Sequence, residues 1–461
     1  MRNYMRRIYL AVLLSVSVGI TVRGQDTTLL TFQDAMKIAL MNGVTLNQQK
    51  NLLEVSQLGK ISGIASLGPN VSLNGQVTQY NGNSFNTQQG RAINGIRDNV
   101  SGGINADLTL FNGFSKINTM RQYASLLDAQ SYFVNRSAQD VINTVSLQYL
   151  QVLLDEELLR ISKENFMVLQ KQLDQIREFV NVGTKSPVDE YNQDALTRGA
   201  ELLYIQAEVN LNNNKALLIQ TLQIDPFDPF NVQKPSWDIN SIAMENSEPT
   251  SLVEIAKQHR GDYLQAAKLE LAQKYGTRAA RSNIYPSLQA FGSYGSAYNF
   301  QHGVVMDSAA IASGINRTFE NQFRMDNVYK SYGLQLSIPI FNGLQGRYFH
   351  AQQRAIYRNS QLTAKNAEIQ LKNDVLRTIR NFDSIKKSYT ISVAQLKAAE
   401  IAFQYETERY NLEVTSLVDY ITANRTYLKA QTDMAQAEYR LLFQKIQLQY
   451  ALGTLKIEDL Q

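Results

Sequence analysis

The sequence predicts a mainly helical protein with a smaller membrane-type β part, built as a duplicated half-molecule. Residues 108–222 recur 230 positions later without a gap, so that Phe111-Asn112-Gly113 falls on Phe341-Asn342-Gly343. Two long stretches almost free of glycine and proline predict helices, and segments of alternating apolar and polar residues predict strands. A repeat of this length in two copies indicates a duplicated half rather than a solenoid of short repeats.

Composition narrows the classes of function. The 461 residues include no cysteine, which excludes disulfides, thiolate metal sites and cysteine nucleophiles. The formal net charge of +4 resides in four arginines near the start: Arg2, Arg6, Arg7 and Arg23. The rest of the chain is neutral and its charges are interspersed, so no basic stripe favours a nucleic-acid partner.

The first 24 residues have the pattern of a signal peptide. A basic start precedes an apolar segment at residues 8–20, and Val22-Arg23-Gly24 resembles a cleavage site. The apolar segment is short for a bilayer-spanning helix, although a membrane anchor is the alternative. Because no cysteine follows it, the mature amino terminus cannot carry a thioether-linked lipid. No later segment is apolar enough for a transmembrane helix, so a membrane crossing would use strands.

Prolines mark the boundaries of the predicted elements, because proline interrupts helix interiors. Capping boxes that begin at Thr31 and Ser251 start the first helix of each half. The predicted organisation is a signal peptide at 1–24; a first repeat at 25–224 with a helix, a strand hairpin at 71–111 and long helices at 114–182 and 187–224; a connector at 225–250; and a second repeat at 251–461 with a helix, a strand hairpin at 287–341 and long helices at 344–411 and 416–453.

Four alternating segments have about the ten-residue length that a tilted strand needs to cross a bilayer. They lie at residues 71–78, 100–110, 287–298 and 330–340, the last with Pro339 inside it. The polar loops at 81–98 and 299–327 are expected to face the outside. A soluble four-stranded sheet with one wet face is the alternative. Four tyrosines near the strand ends are expected to form an aromatic girdle: Tyr80, Tyr294, Tyr298 and Tyr329.

Four strands cannot close a barrel alone, and an open edge in lipid leaves backbone groups unpaired. The sequence therefore predicts four transmembrane strands per chain in a shared barrel, with three chains forming a trimeric 12-stranded β-barrel. The long helices would each measure about 100 Å and must pack along their length like a coiled coil. They would continue the β-barrel as a long periplasmic α-helical barrel.

Several local motifs, in this order, resemble the TolC-like outer-membrane efflux proteins, the outer membrane factor family. Phe341-Asn342-Gly343 resembles the strand-to-helix junction, and Phe111-Asn112-Gly113 is its first copy. Val182-Gly183-Thr184 resembles the tip of the helical hairpin, and residues 451–455 resemble the end of the last long helix. The resemblance covers essentially the whole mature chain, and it implies a location in the outer membrane with a long periplasmic extension.

The resemblance also implies a function and partners. It implies a homotrimer that lies in outer-membrane lipid and is the exit duct of a tripartite efflux system. An inner-membrane efflux transporter would deliver drugs or other small molecules through a periplasmic adaptor, also called a membrane fusion protein. One alternative is the outer-membrane conduit of a type I protein secretion system. An alternative of a different class is a periplasmic adaptor or coiled-coil scaffold, which would have no need of four bilayer-length strands.

The candidate site lies at the two hairpin tips. Ser186 and Ser416 each precede a helix whose third residue is an acid, Asp189 or Asp419, and both acids can simply cap their helices. In a trimer, Asp419 would also form a ring of like charges at the periplasmic mouth that attracts cations. The resemblance implies that Tyr410 and Asp189 help to hold the mouth closed.

The resemblance further assigns adaptor contacts to the tip residues Val182, Gly183, Thr184, Ser186 and Ser416. The second tip departs from the family pattern: Glu413 replaces the tip glycine, Thr415 a basic residue and Thr422 a further acid.

An enzyme is not expected. The histidines, His259, His302 and His350, have neither metal-ligand spacing nor a nucleophile motif beside them, so neither a cofactor nor a metal site is predicted.

Overall fold

A computed structural model describes residues 28–86, 91–227, 230–235, 248–303 and 316–456. The predicted signal peptide at 1–24 lies outside the described residues, as do parts of the predicted connector and of both outer loops. The chain divides into two compact units. A helical unit comprises residues 1–47, 138–252 and 374–461, and a strand unit comprises residues 48–137 and 253–373.

Helices dominate the described chain. The two longest, α3 and α7, have 67 residues each, which corresponds to about 100 Å. The helices are α1 (Phe32–Asn42), α2 (Val44–Ala65), α3 (Ser115–Asn181), α4 (Pro187–Leu222), α5 (Pro249–His259), α6 (Gly261–Arg281), α7 (Gln345–Asn411) and α8 (Leu417–Leu452). None of the described helices is both long enough and apolar enough to cross a bilayer.

The backbone repeats the duplication seen in the sequence. Eight of the described residues with positive φ form four pairs separated by 230 positions. The pairs are Gly113 with Gly343, Phe114 with Leu344, Gly183 with Glu413, and Gln223 with Gly453. Each pair lies where a strand turns into a helix or where a long helix ends. The two halves therefore share their reversals as well as their helices.

The first helix of each half begins differently from the other. Thr31 caps α1 as expected: its hydroxyl accepts the Asp34 amide at 3.1 Å and donates to the Asp34 carboxylate at 2.6 Å. The capping box predicted at Ser251 is wrong, because α5 already begins at Pro249 and the Ser251 hydroxyl donates to the Glu248 carbonyl at 2.8 Å. Proline suits the first helical position, where its missing N–H would have no helical partner.

The helical unit contains a parallel pair of short strands that the sequence did not reveal. Strand β1 (Thr28–Leu30) pairs with β4 (Phe230–Val232), which lies inside the predicted connector. The Tyr149 hydroxyl lies 2.8 Å from the carbonyl oxygens of both Leu30 and Gln233. Burial raises the pKa of Tyr149 to about 12, so this hydroxyl stays protonated and ties both strands to α3.

The strand unit contains a four-stranded antiparallel sheet of order β2-β3-β5-β6, formed by β2 (Asn70–Asn86), β3 (Arg91–Phe111), β5 (Ser287–Gln301) and β6 (Tyr329–Ser337). Directly paired residues share a face. One face is apolar and includes Val71, Leu73, Val77, Val100, Ile104, Ala106, Leu108, Leu288, Ala290, Tyr294, Tyr298, Tyr332, Leu334 and Leu336. The opposite face carries Ser72, Asn74, Gln76, Ser101, Asn105, Asp107, Gln289, Ser293, Ser331 and Gln335.

Three predictions about the strands are wrong in detail. The last strand ends at Ser337 rather than Ile340, because Pro339 has no N–H to donate to a ladder. The predicted loop at 81–98 is mostly strand, since β2 and β3 pair as far as Asn86 and Arg91. Tyr80 and Tyr329 do not belong to the apolar face; the Tyr329 ring lies against Gly295 and Gly103 on the opposite face.

Candidate functional site: the two hairpin tips

The two tips have the same backbone turn. At the end of α3, Gly183 N–H donates to the Val180 carbonyl at 3.0 Å and Thr184 N–H to the Phe179 carbonyl at 2.9 Å. At the end of α7, Glu413 N–H donates to Tyr410 at 3.0 Å and Val414 N–H to Arg409 at 2.9 Å. Both are Schellman motifs, which satisfy the last helical carbonyls through one left-handed residue. The turn thus aims the chain back along the helix in both halves.

The left-handed residue differs between the tips. Gly183 adopts φ 78° and Glu413 adopts φ 59°. Glycine has no Cβ to clash in this region, whereas another L-residue costs about 1–2 kcal/mol there. The open space around Gly183 shows that a side chain at the first tip would meet no neighbour within 4 Å. Backbone strain therefore resides at the second tip.

The helix caps also differ. Ser416 accepts the Asp419 amide at 3.2 Å and donates to the Asp419 carboxylate at 2.7 Å, and Thr415 donates to the same carboxylate at 3.3 Å. The hydrogen bond from Ser416 is the main reason that the pKa of Asp419 lies below its usual value. Ser186 instead accepts the Val188 amide at 3.2 Å. Among the described residues, the Asp189 carboxylate has no hydrogen bond or ion pair, so the predicted repetition of the cap is incomplete.

A lysine that the sequence analysis missed joins the two hairpins within the helical unit. Lys185 Nζ donates to the Tyr410 hydroxyl at 2.9 Å and lies 4.3 Å from the centre of the Tyr410 ring. Residue 185 is the repeat equivalent of Thr415, where the family pattern places a basic residue. The cation is therefore present at the tips, but in the other half. Only the internal repeat could have pointed to it, because 225 residues separate Lys185 from Tyr410.

Tyr410 begins a row of stacked aromatic rings between α7 and α8. Its ring stacks on Tyr420 with centres 5.1 Å apart, Tyr420 lies 5.6 Å from Phe403, and Phe403 stacks on Tyr427 at 5.3 Å. Burial raises the pKa of Tyr420 to about 12, so the Tyr420 hydroxyl is uncharged at neutral pH.

A groove beside Asp419 has a volume of about 490 Å³. Small and hydroxylated side chains form most of it, with one ion pair, Glu406 with Arg409, at 3.1 Å. Its lining residues are Ala399, Ala402, Glu406, Arg409, Thr415, Asp419, Thr422, Ala423 and Thr426. The Asp419 carboxylate is consequently next to a space that a hydrated cation can enter.

The predicted strand-to-helix junctions lie in the strand unit, beside a second cavity of about 780 Å³ that Asn112 and Asn342 both line. The Asn112 carbonyl accepts the Ser115 amide at 3.2 Å, and the Asn342 carbonyl accepts the Gln345 amide at 3.3 Å. Phe111 ends β3, whereas Phe341 lies beyond β6 and its side chain is exposed. These residues are hinge-like connections between strand and helix.

In the part of the chain that the structure describes, no group of three or more His, Asp or Glu side chains could hold a metal ion.

Known proteins are similar to this chain in sequence and in fold. A family model described as "Outer membrane efflux protein" matches residues 252–454. Outer membrane protein TolC of Escherichia coli K12 is 22% identical over 453 residues, covering 92% of this chain and 86% of TolC. The pyoverdine export outer membrane protein OpmQ of Pseudomonas aeruginosa is 24% identical over 367 residues, covering 77% of this chain and 70% of OpmQ.

Solved channels have the same fold. CusC has a TM-score of 0.77 at 15% identity and covers 95% of both chains. The CmeC outer membrane channel of Campylobacter jejuni has a TM-score of 0.77 at 16% identity, covering 93% of this chain and 88% of CmeC.

These likenesses define the class: an outer-membrane channel with a periplasmic helical extension. Residues 252–454 match the outer membrane efflux protein family, and the chain is similar to TolC over most of its length. Its relatives are channels, so the chain is not an enzyme.

Proposed function

We propose that this chain forms a homotrimeric exit duct of a tripartite efflux system, which passively conducts drugs or other small molecules. The observation that carries the proposal is the four-stranded sheet with one apolar face and two free edges, β2 and β6. A sheet edge exposed to lipid leaves each backbone group unsatisfied at a cost of several kcal/mol. Three identical chains supply twelve strands, and each β6 edge is then covered by the β2 edge of its neighbour.

The helices support the same assembly. Along α2, five large apolar side chains at three-residue spacing are each at least half exposed: Leu52, Val55, Leu58, Ile61 and Ile64. A stripe of this kind needs a cover, since monomeric soluble surfaces rarely expose contiguous apolar strips. Neighbouring copies provide that cover when the two repeats, residues 25–224 and 251–461, alternate around a common axis. The connector at 225–250 then forms an equatorial region outside the helices.

The tips are the proposed periplasmic gate. The contact between Lys185 and Tyr410 ties the first tip to the second within one chain. In the trimer, Asp419 contributes one carboxylate from each copy to a ring at the mouth, and repulsion within this ring favours opening. Asp189, without a partner among the described residues, is available for a neighbouring copy. We expect opening to break the contact between Lys185 and Tyr410, which is partly buried in the single chain.

The tips are also the proposed adaptor surface, where Val182, Gly183, Thr184, Ser186 and Ser416 would contact the adaptor. Both tips present apolar side chains to solvent: Val182 is 71% exposed, Val414 is 66% exposed and Val418 is 69% exposed. Exposed apolar residues at a loop tip mark an interaction site rather than a core. The periplasmic adaptor links these tips to an inner-membrane transporter, which supplies the energy.

Small molecules are the proposed substrates. The name of OpmQ refers to export of pyoverdine. A second relative of this chain, from Aggregatibacter actinomycetemcomitans and 22% identical, is named "Toxin and drug export protein A". The second name favours a conduit for a secreted protein as the alternative function. Both require the same duct and differ in the inner-membrane partner.

Two experiments test the proposal. Purified full-length protein is expected to cross-link as a trimer and to give discrete conductance steps in planar bilayers. A monomer without conductance would exclude the duct, and release of the protein from outer membranes by high salt would favour a scaffold instead. Deletion of the gene should increase accumulation of a fluorescent efflux dye in cells. Normal dye accumulation together with loss of a secreted protein would favour the protein-secretion alternative.

A further inference from the structure

The outer end of β5 extends beyond β6. The pairing of β5 with β6 stops at Gly295 with Tyr329, whereas β5 continues to Gln301. On the side that β6 leaves free, the backbone of residues 297, 299 and 301 would need hydrogen-bond partners. A strand edge at the border of a membrane cannot leave these groups unpaired without a cost of several kcal/mol.

Three amide side chains from residues 316–327 supply those partners. The Asn327 amide donates to the Ala297 carbonyl at 2.7 Å. Gln322 accepts the Asn299 N–H at 3.0 Å and donates to the Asn299 carbonyl at 3.0 Å. Asn316 accepts the Gln301 N–H and donates to its carbonyl, both at 2.7 Å. A side-chain amide carries the same donor and acceptor as a peptide group, so these residues replace the missing strand.

This attachment places aromatic rings on the apolar face of the sheet. The Phe319 ring lies 5.3 Å from the ring of Tyr298 and stacks on Phe323 at 5.0 Å. Phe323 Cζ lies in front of Gly102, 3.4 Å from the position that a Cβ on Gly102 would take. Gly102 and Tyr298 both belong to the apolar face. The segment therefore folds over β5 toward the side that faces lipid.

The level of these rings coincides with the outer limit of the apolar face. The next residue of β3 on the same face, beyond the pair of Val100 and Tyr298, is Asp98. Its carboxylate lies 2.7 Å from His302 Nε2 and accepts a hydrogen bond from the Gln79 side-chain amide at 2.8 Å. On this face, charged and amide groups are interleaved with the outermost rings: Phe300 pairs with Asp98, and Lys330 pairs with Tyr294 and lies 5.8 Å from the centre of its ring. Aromatic residues favour this boundary between hydrocarbon and headgroups.

The same segment contains two ion pairs. Arg317 pairs with Asp326 at 3.1 Å, and Arg324 pairs with Glu320 at 3.2 Å. Long side chains at a membrane border extend their charged ends toward water while their carbon chains cover apolar surface. Phe319 nevertheless remains 51% exposed and Met325 66% exposed, so the segment presents apolar surface that the described residues leave uncovered.

We propose that residues 316–327 form an outer-leaflet anchor, a segment outside the strands that contacts membrane lipid through Phe319, Phe323 and Met325. Its occupant is lipid, because its apolar surface continues the apolar face of the sheet. The proposal rests on the outer-membrane location of the chain. The amide contacts of Gln322 and Asn316 hold the anchor in register, and the aromatic rings set the depth of the barrel in the bilayer.

Quenching by brominated lipid tests the anchor. The chain has one tryptophan, Trp237, and a W237F background gives a protein without tryptophan in which single reporters can be placed. The full-length protein is reconstituted into phosphatidylcholine vesicles with bromine either near the headgroup or deep in the acyl chains. F319W is expected to be quenched more by the shallow label. L334W on the apolar face should be quenched more by the deep label, and S331W on the opposite face should not be quenched.

The pattern of quenching separates failure of the anchor from failure of the duct. If F319W is unquenched while L334W is quenched, the anchor proposal is wrong: either a neighbouring copy covers Phe319 or Phe319 faces the lumen. If L334W is also unquenched, the apolar face does not contact lipid and the duct itself is wrong. M325W provides a second reporter should F319W fold poorly. The Q322A variant should reduce quenching of F319W and leave that of L334W unchanged, since only the anchor depends on Gln322.

Discussion

The two halves of the chain share their backbone turns but distribute side-chain chemistry differently. The first tip has the relaxed glycine, Gly183, and the cation, Lys185, whereas the second has a strained Glu413 and a capped Asp419. At the junctions, Gly113 is closely surrounded and Gly343 is open. Duplication thus preserved the left-handed residue that the fold needs at each reversal. The side chains around the proposed gate were free to diverge. Exchanging residues between the halves tests this division.

The largest difference between the two halves is expected at the tip acids, Asp419 and Asp189. In the proposed trimer, three Asp419 carboxylates at the mouth would each contribute about 1 kcal/mol to binding a close cation in water, so D419A should weaken cation block about a hundredfold. D189A is the matched control, and its effect should be smaller because Asp189 is not in the ring. Multivalent-cation block of single-channel current in planar bilayers measures both. Equal effects would show that the two acids do not differ in role.

The same acid predicts a pH dependence. Because hydrogen bonding lowers the pKa of Asp419, the carboxylate stays charged as the pH falls into the range where an ordinary aspartate is protonated. Compared with a carboxylate that lacks these hydrogen bonds, Asp419 should therefore support block to lower pH, and block should disappear as the pH falls through the depressed pKa. S416A removes the largest cause and should move the loss of block to higher pH. An unchanged midpoint in S416A would contradict this account.

Glycine substitution at the junctions should separate the halves next. Gly113 and Gly343 have nearly the same φ, 63° and 65°, so alanine should cost about 1 kcal/mol at either position. At Gly113 an added Cβ would also lie 2.9 Å from Tyr285 Cβ and 3.1 Å from the Ser282 carbonyl oxygen. We expect G113A to cost about 2–3 kcal/mol in total. Unfolding in detergent followed by circular dichroism measures both variants, and equal costs would refute the crowding at Gly113.

The cation at the first tip should have a smaller effect. K185T gives the first tip the residue of the second, and Y410F removes the acceptor hydroxyl. A partly exposed hydrogen bond with cation–π contact contributes about 1 kcal/mol, so either change should raise the ratio of open to closed channels about fivefold. The double variant should add little to either single one. Independent, multiplicative effects in single-channel records would show that Lys185 and Tyr410 do not act together.

The smallest effect is expected at the strained turn. E413G copies Gly183 and should stabilise the second tip by about 0.5–1 kcal/mol, since glycine accepts φ 59° without a Cβ clash. G183E is the reverse exchange and should destabilise the first tip by a similar amount. Protection of the tip amides against hydrogen exchange measures both. A loss of protection in E413G would show that the glutamate side chain has a stabilising contact of its own.

Repetition and periodicity made the architecture predictable from sequence. The long helices, the alternating strands and the Thr31 cap each follow from patterns among residues that are close together in the sequence. The contact of Lys185 with Tyr410 and the pairing of β1 with β4 could not be predicted, because they join residues far apart in the chain. Tyr80 was expected in an aromatic girdle because it lies near a strand end, but the alternation of side chains along β2 places it on the face opposite the apolar one. Where β6 stops depended on a single missing donor at Pro339.

The four pairs of left-handed residues have a consequence for ancestry. A half-length ancestor that already carried all four reversals would have folded one strand hairpin and one helical hairpin by itself. Six such chains, rather than three, would then have been required to complete the same ring. Fusion of two copies made neighbouring positions around the ring free to diverge, which a strictly sixfold assembly would forbid.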